Sequence, residues 1–596
     1  MNFTKTRLRE MFTLDYRSLA LLRIGIGFTL LCDIIQRLED IKAFYTDSGT
    51  LPRASLLSLW GGEWGLSLHT AFGIWPFEYV LFILAFIVAI ALIAGYRTTL
   101  ATIISFIFLI SIQNRNPLIL QGGDVIFRAV LFWCIFLPLG KYLSIDSIRK
   151  NIKLPNKNYF STSTVAYTLQ IVLFYFFTGF LKTGNEWVTD GTAIYLALSL
   201  DQMTAAFGYF LLRFPTFLKG LTFTTVYLEL YGSLALISPV WNGPVRTIAI
   251  FLFALLQLGI NMSMHLGLFG MISIVITFGL LPSWFWDNCF SKIRNFFRYK
   301  NTQTGIIYYD QDCGFCTQMV FIVRRILWLP PGIKLLPAQQ NPEIEKEMLQ
   351  QNSWIFEDAT GTHYYESAAL RALLKVSPIF FWLSYLFYIP KFSTLADYCY
   401  KKIAQSRMTV CLPETNAPIV ESLQSKVITK SKNIFIVFMI GYMLCWNIQS
   451  IPGVPTLITG GWMHIADLTR IDQRFNMFAP YPLLDDGWYV IPGILADGRE
   501  VDIFKGGAPV SYIKPENVSA LYKNQRWQKY MMNLYLEEYS KYRLAYGQYL
   551  CRDWNRSHSG PDQLQTFKII FMKERTLLNY EPPTVTPTTI WDHHCF

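Results

Sequence analysis

The sequence predicts a polytopic α-helical membrane bundle that carries an inserted α/β domain and ends in a β-rich extracytoplasmic domain. Three observations support this. Of the 596 residues, 52% are hydrophobic and only 16% charged, with a mean hydropathy of +0.29; an average soluble domain has about 25% charged residues. Apolar runs long enough to cross about 30 Å of hydrocarbon recur along the chain. One stretch, residues 304–411, breaks that pattern and reads as soluble α/β sequence around a Cys-x-x-Cys.

The apolar runs lie near 17–35, 77–95, 98–113, 124–140, 164–181, 220–238, 245–263, 266–283 and 433–449, which predicts nine spans, give or take one. The segment 192–215 is interrupted by Asp201, Arg213 and Pro215 and reads as an interfacial or re-entrant helix. Basic loops orient the bundle. Lys5, Arg7 and Arg9 precede the first span; Arg149, Lys150, Lys153 and Lys157 follow the fourth; Lys292, Arg294, Arg298 and Lys300 follow the eighth. Counting spans puts all three groups on one side, the cytoplasmic one. The insert then faces the cytoplasm and residues 450–596 face outward. The location expected is a bacterial inner or plasma membrane. The net charge of +11 points to anionic lipid headgroups, and no nucleic-acid-binding motif is present.

The predicted domains are a membrane domain (1–290), the insert (304–411), a linker with the last span (412–449) and the outer domain (450–596). Within the insert, strands are expected at 305–309 and 353–357, a helix from 314 and a turn at 360–362. In the outer domain, strand-like runs at 488–491, 501–504 and 567–572 flank a helical stretch near 524–556.

Residues Tyr309-Asp310-Gln311-Asp312-Cys313-Gly314-Phe315-Cys316 carry the clearest chemistry. A Cys-x-x-Cys at a strand-to-helix turn puts the first sulfur at a helix N-terminus, where N–H groups and the dipole favour thiolate, with a resolving thiol one turn on. Asp310 and Asp312 tune that site, or Asp312 caps the helix. The competing reading is half of a zinc site completed by Cys399 and Cys411, although that Cys-x11-Cys spacing is not a common knuckle.

Through Asp310, Asp312, Cys313 and Cys316, with Glu366-Ser367-Ala368-Ala369-Leu370 and Tyr400 to Arg407 further on, the insert resembles the DCC family of thiol–disulfide oxidoreductases. Gln311 stands where that family usually has Gly. The resemblance implies a thioredoxin-like fold, a redox-active Cys313–Cys316 disulfide and no metal.

On the outer side, Lys182 ends the apolar run Phe174 to Leu181 and precedes Trp187. Such a lysine either snorkels to the headgroups or, desolvated by aromatics, serves as a neutral base. Arg23, Asp33, Arg128 and Glu229 lie in or near spans, where ionisable groups face the bundle interior. Glu229, mid-span, requires a partner, with Arg23 or Arg128 the candidates. His265 lies in another outer loop.

Residues 10–290 resemble the HTTM domain, the membrane domain similar to vitamin K-dependent gamma-carboxylase. The resemblance rests on Leu22-Arg23-Ile24-Gly25, Phe44 to Gly49, Gly95-Tyr96-Arg97 and Phe176 to Lys182 with Trp187. It implies that Lys182 is a base acting on a reduced quinone (menaquinone or a vitamin K-like molecule). The carboxylase also uses a histidine in the loop between its third and fourth spans. Asn116 stands nearest that position here and cannot shuttle a proton, so carboxylation itself does not follow.

Two functions emerge. One is an integral membrane redox enzyme joining a quinol-dependent, carboxylase-like membrane domain to a cytoplasmic thiol–disulfide oxidoreductase. The other is a non-catalytic scaffold or maturation factor for a secreted peptide, protein or lipid on the outer side, regulated by the redox insert. A transporter is disfavoured by the lack of paired broken helices. Cys551 and Cys595, outside the reducing compartment, are candidates to pair.

Overall fold

The structure, a computed structural model, describes every residue except 1, 60–66, 150–155, 301–303, 331, 379, 407–422 and 578–582. Cys411 and Arg407 therefore lie outside the described residues, as does the side chain of Cys399. The chain divides into two compact units. One comprises 1–139, 157–283 and 427–596; the other comprises 140–156 and 284–426.

In the first unit, six described helices are long and apolar enough to cross a membrane: Tyr16–Leu38, Trp75–Ala94, Thr98–Arg115, Thr162–Phe180, Asn242–Ser263 and Val427–Ile448. A seventh arises only if the bent pair Phe269–Phe278 and Ser283–Lys292 counts as one span. Six or seven such helices among the described residues are fewer than the nine spans expected, and two of the expected runs take other forms. The run at 124–140 yields the helix Gly122–Cys134, whose 13 residues reach about 20 Å at 1.5 Å per residue. Nearly all its side chains are buried in protein, including Trp133 and Arg128. The run at 220–238 yields Pro215–Tyr227, then a π-helical turn at Leu228–Gly232 that contains Glu229, then Ser233–Ala235. By contrast Trp75–Ala94 leaves Val80, Ile83, Ile87 and Ile90 exposed, the outward apolar face expected of a helix in lipid.

Two short strands of this unit, β1 (Leu14–Asp15) and β2 (Asn158–Tyr159), pair antiparallel. The C-terminal residues belong to the same unit. Five strands, β7 (Asp485–Val490), β8 (Pro492–Leu495), β9 (Glu500–Asp502), β10 (Leu564–Arg575) and β11 (Thr584–His594), form an antiparallel sheet in which the long β10 pairs β11, β7 and β8. The helices Gln525–Tyr535 and Arg543–Ser557 pack on it through Tyr530, Leu534 and Tyr546, in a core shared with Phe44, Tyr45 and Leu118. Charge joins the same regions. Arg526 donates to Asp33 at 2.5 Å, and Arg37 donates to Asp33 at 2.8 Å, Asp124 at 3.0 Å and the Tyr45 hydroxyl at 2.7 Å. Residues expected as a separate outer domain are thereby built into the helical unit.

The second unit contains the sheet β4-β3-β5-β6: β3 (Gly305–Tyr309), β4 (Ile333–Pro337), β5 (Ile355–Glu357) and β6 (His363–Tyr364). β3 and β4 are parallel, joined through the helix Gly314–Ile326; β5 and β6 are antiparallel additions. Alternation along the strands fills two cores. Ile307, Ile333 and Phe356 meet Val320 and Leu373 on one face, and Tyr308 and Ile355 meet Ile344 and Met348 on the other. β4 is a strand beyond those expected from the sequence.

Candidate functional site

Buried Ile307 and Tyr308 anchor β3 inside the sheet, and the chain leaving Tyr309 at the C-terminal end of that strand turns into the helix Gly314–Ile326. Cys313 is the N-cap of that helix. Its backbone is extended (φ −91°, ψ 100°), and its Sγ accepts the Cys316 N–H at 3.2 Å. Sulfur here occupies the place of a capping oxygen, at the positive end of the helix. Asp312 is exposed and does not cap the helix, contrary to one expectation; its N–H donates to the Asp310 carboxylate at 3.0 Å.

Both cysteines are thiols, not joined in a disulfide, and of intermediate exposure. One carboxylate oxygen of Asp310 and the two sulfurs lie within 4.8 Å of one another. Asp310 is therefore part of the sulfur site. It is held by Gln339 Nε2, which donates to Asp310 Oδ1 at 2.7 Å, while the Gln311 N–H donates to Gln339 Oε1 at 3.2 Å. Thr317 Oγ1 closes the turn on the Asp310 carbonyl at 3.1 Å. Gln311 is not among the positive-φ residues, so the turn has no need of the glycine. Gln339, in the short helix that follows β4, escaped the sequence reading because a single polar residue 29 positions away carries no local signal.

The later motif residues brace the same unit. The Glu366 N–H donates to Ser353 Oγ at 2.8 Å, Ser353 Oγ meets the Tyr400 hydroxyl at 3.0 Å, and Ser367 donates to Asp397. These contacts tie β5, the helix Glu366–Val376 and the helix Pro390–Ser406 together. They hold the scaffold and do not reach the sulfurs.

In the helical unit, Lys182 follows the helix Thr162–Phe180 and is buried. Its ammonium donates to Glu229 Oε2 and lies 4.7 Å from the centre of the Trp187 ring, a cation–π contact. Trp187 is fixed by its Nε1, which donates to the Phe478 carbonyl at 2.8 Å. Glu229 is thus partnered by Lys182 and not by the arginines first considered. Arg128 instead binds Asp472 at 2.7 Å and the Arg470 carbonyl at 2.9 Å, and Arg23 donates to the Leu139 carbonyl at 3.2 Å. Snorkelling does not describe Lys182, since its charge is spent inside protein.

Asn116 is wholly buried and structural in its contacts. Its Oδ1 accepts the Leu118 N–H and its Nδ2 donates to the Phe44 carbonyl, each at 3.2 Å. His265 is exposed, and its N–H donates to the Met203 carbonyl at 2.7 Å. The structure thus brings Lys182, Trp187 and Glu229 together and leaves Asn116 and His265 out of that cluster. Far along the chain, Cys551 of the helix Arg543–Ser557 is disulfide-bonded to Cys595, just past β11.

Residues 307–412 match the family model described as DCC1-like thiol-disulfide oxidoreductase. The match runs from Ile307 in β3 through β4, β5 and β6 and the helices from Gly314–Ile326 to Pro390–Ser406, and it includes both cysteines. Neither a curated protein nor a solved structure matches the chain. The comparisons lend no support to a carboxylase-like domain in residues 10–290.

Proposed function

We propose that the chain is a membrane-anchored thiol–disulfide oxidoreductase in which Cys313 is the nucleophile and Cys316 the resolving thiol. The single observation that carries this is Cys313 Sγ at the helix N-cap, accepting the Cys316 N–H. A thiolate there attacks a substrate disulfide, forming a Cys313–substrate bond and releasing one substrate thiolate. Cys316, after giving up its proton, attacks Cys313 Sγ and releases the second. The protein dithiol ends oxidised and the substrate reduced by two electrons; the reverse sequence oxidises a substrate dithiol. Asp310 is placed to take the Cys316 proton. The strand order β4-β3-β5-β6 with the dithiol after β3 supports a thioredoxin-like fold.

The membrane arrangement belongs to the same proposal. The dithiol pair 313/316 and the bonded pair 551/595 suit a reducing cytoplasm and an oxidising exterior respectively. A peptide, protein or lipid on the outer side is the proposed partner of the C-terminal region.

The decisive experiment uses the full chain in mild detergent with a fluorogenic glutathione mixed disulfide. Cys313→Ser should fall to background and Cys316→Ser should accumulate a mixed disulfide. Retention of the full rate in Cys313→Ser overturns the assignment.

A second reading is favoured only by the buried Lys182–Glu229 pair under Trp187. In it, a reduced quinone would lie among the apolar helices, and the pair would offer a base once the Lys182 ammonium has passed its proton to the Glu229 carboxylate, leaving a neutral amine beside a neutral acid. Mass spectrometry of molecules that co-purify with the protein tests it; absence of any quinone removes it.

A further inference from the structure

A second polar locus lies in the helical unit, in a cavity among the helices Tyr16–Leu38, Trp75–Ala94 and Thr98–Arg115. The enclosed room is small; the roughly 400 Å³ of non-atom space at this place counts open solvent at its mouth as well. Its walls are apolar, with Leu30, Ile34, Phe82, Leu109 and Ile112 prominent, and its lining includes neither Lys182 nor Glu229.

Three polar side chains also line it: Asp33, His69 and Ser105. Asp33 is already satisfied, its Oδ2 by Arg37 at 2.8 Å and its Oδ1 by Arg526 at 2.5 Å. The other two are not. Ser105 Oγ is buried with no hydrogen-bond partner among the described residues. His69 is 2% exposed, and its Nδ1 lies 2.5 Å from Glu78 Oε2. Among the described residues its Nε2 has no hydrogen bond. Glu78 Oε1 is likewise buried without a described partner. Buried polar atoms in folded proteins are nearly always paired, so an unpaired group on a cavity wall points to a ligand or an ordered water.

The chemistry narrows the ligand. Arg37 and Arg526 are spent on Asp33 and Asp124, which leaves walls suited to an uncharged head. With Nδ1 fixed on Glu78, Nε2 accepts a hydrogen bond from a neutral ring or donates one from a charged ring. A hydroxyl satisfies both cases, because it donates and accepts, and it also takes the Ser105 O–H. The apolar walls require an aliphatic or otherwise greasy body. We infer that this cavity binds a lipid-soluble alcohol, its hydroxyl between His69 Nε2 and Ser105 Oγ and its chain against Phe82, Leu109 and Ile112. Glu78 acts as a positioning residue that fixes the imidazole.

The test is photolabelling of the full-length protein in detergent with a diazirine-bearing octanol, adducts being mapped by mass spectrometry. Adducts should fall on Phe82, Leu109 or Ile112, and excess octanol, but not octanoate, should displace the probe. Ser105→Ala and His69→Phe should each weaken labelling about 3- to 10-fold, as expected for one lost hydrogen bond. If His69→Phe does not fold, as judged by gel filtration, Ser105→Ala decides alone, since it removes a single oxygen. Adducts confined to Val80, Ile83 and Ile87, on the exposed face of the same helix, would overturn the inference. So would equal displacement by octanoate, or labelling unchanged in Ser105→Ala.

Discussion

The chain holds two cysteine pairs built on opposite principles. Cys313 and Cys316 are three positions apart, and one helical turn brings them together; they remain thiols. Cys551 and Cys595 are 44 positions apart and meet only because the helix Arg543–Ser557 packs on the sheet that β11 completes; they are bonded. A local pair is poised by a helix end and needs little from the rest of the fold. A remote pair records the fold, and in return closes a long loop of the unfolded chain.

Five measurements sharpen or break this contrast. The largest effect is on exchange chemistry: Cys313→Ser should abolish turnover of a mixed-disulfide substrate, and Cys551→Ser should leave it unchanged. Equal loss in both would mean that the bonded pair takes part in the reaction.

Next comes the remote ion pair. Lys182→Met strands the Glu229 carboxylate inside protein, a change that typically costs about 3–5 kcal/mol. The double variant Lys182→Met/Glu229→Leu should recover most of it. Thermal unfolding in detergent reads both, and a double variant no better than the single would show that the pair is not isolated.

The bonded cysteines follow. Opening a loop of 44 residues removes up to about 4 kcal/mol in the chain-entropy estimate. Cys551→Ser/Cys595→Ser should therefore unfold at clearly lower denaturant, and dithiothreitol should reproduce the shift in the wild type but not in the variant.

The fourth test probes a buried acid in β7. Burial, reinforced by neighbouring Asp201, raises Asp486 from its ordinary value to about 6, even though Gln202 Nε2 donates to it at 2.6 Å. The folded state thus holds the proton more tightly than the unfolded one. Its stabilising contribution is full below about pH 4 and is lost as pH rises through about 6, on the order of 2–3 kcal/mol. Asp486→Asn should flatten the melting temperature between those pH values; an unchanged pH profile rejects the assignment.

The smallest effect concerns Gln339. Gln339→Ala removes one donor from Asp310 and the acceptor of the Gln311 N–H and should slow exchange several-fold, a fraction of the roughly 1.5–3 kcal/mol of a hydrogen bond to a charged group. Gln339→Glu should slow it further by placing a second carboxylate beside the first.

The same division explains what could be read beforehand. The strand Gly305–Tyr309, the helix from Gly314 and the turn near Gly361 were legible, since an apolar run, a capping residue and a turn glycine act within a few residues. The apolar spans were legible for the same reason, but only as runs. Whether a run becomes a membrane-crossing helix depended on where its helix stopped. Gly122–Cys134 stops short inside protein, whereas Pro215–Ala235 stays helical through a π turn at Glu229. β4, Gln339 and the Arg526 contact to Asp33 gave no readable sign, because each works through a partner distant in sequence.

The residues alone determined the periodicities, the helix-end sulfur and the greasy character of most of the chain, all of which depend on neighbours along the backbone. The tertiary structure decided which charge meets which: Lys182 with Glu229, Arg526 with Asp33 and Asp124, Gln339 with Asp310, Cys551 with Cys595. A buried polar group must find its complement wherever the fold brings one near, and sequence distance sets no limit on that choice.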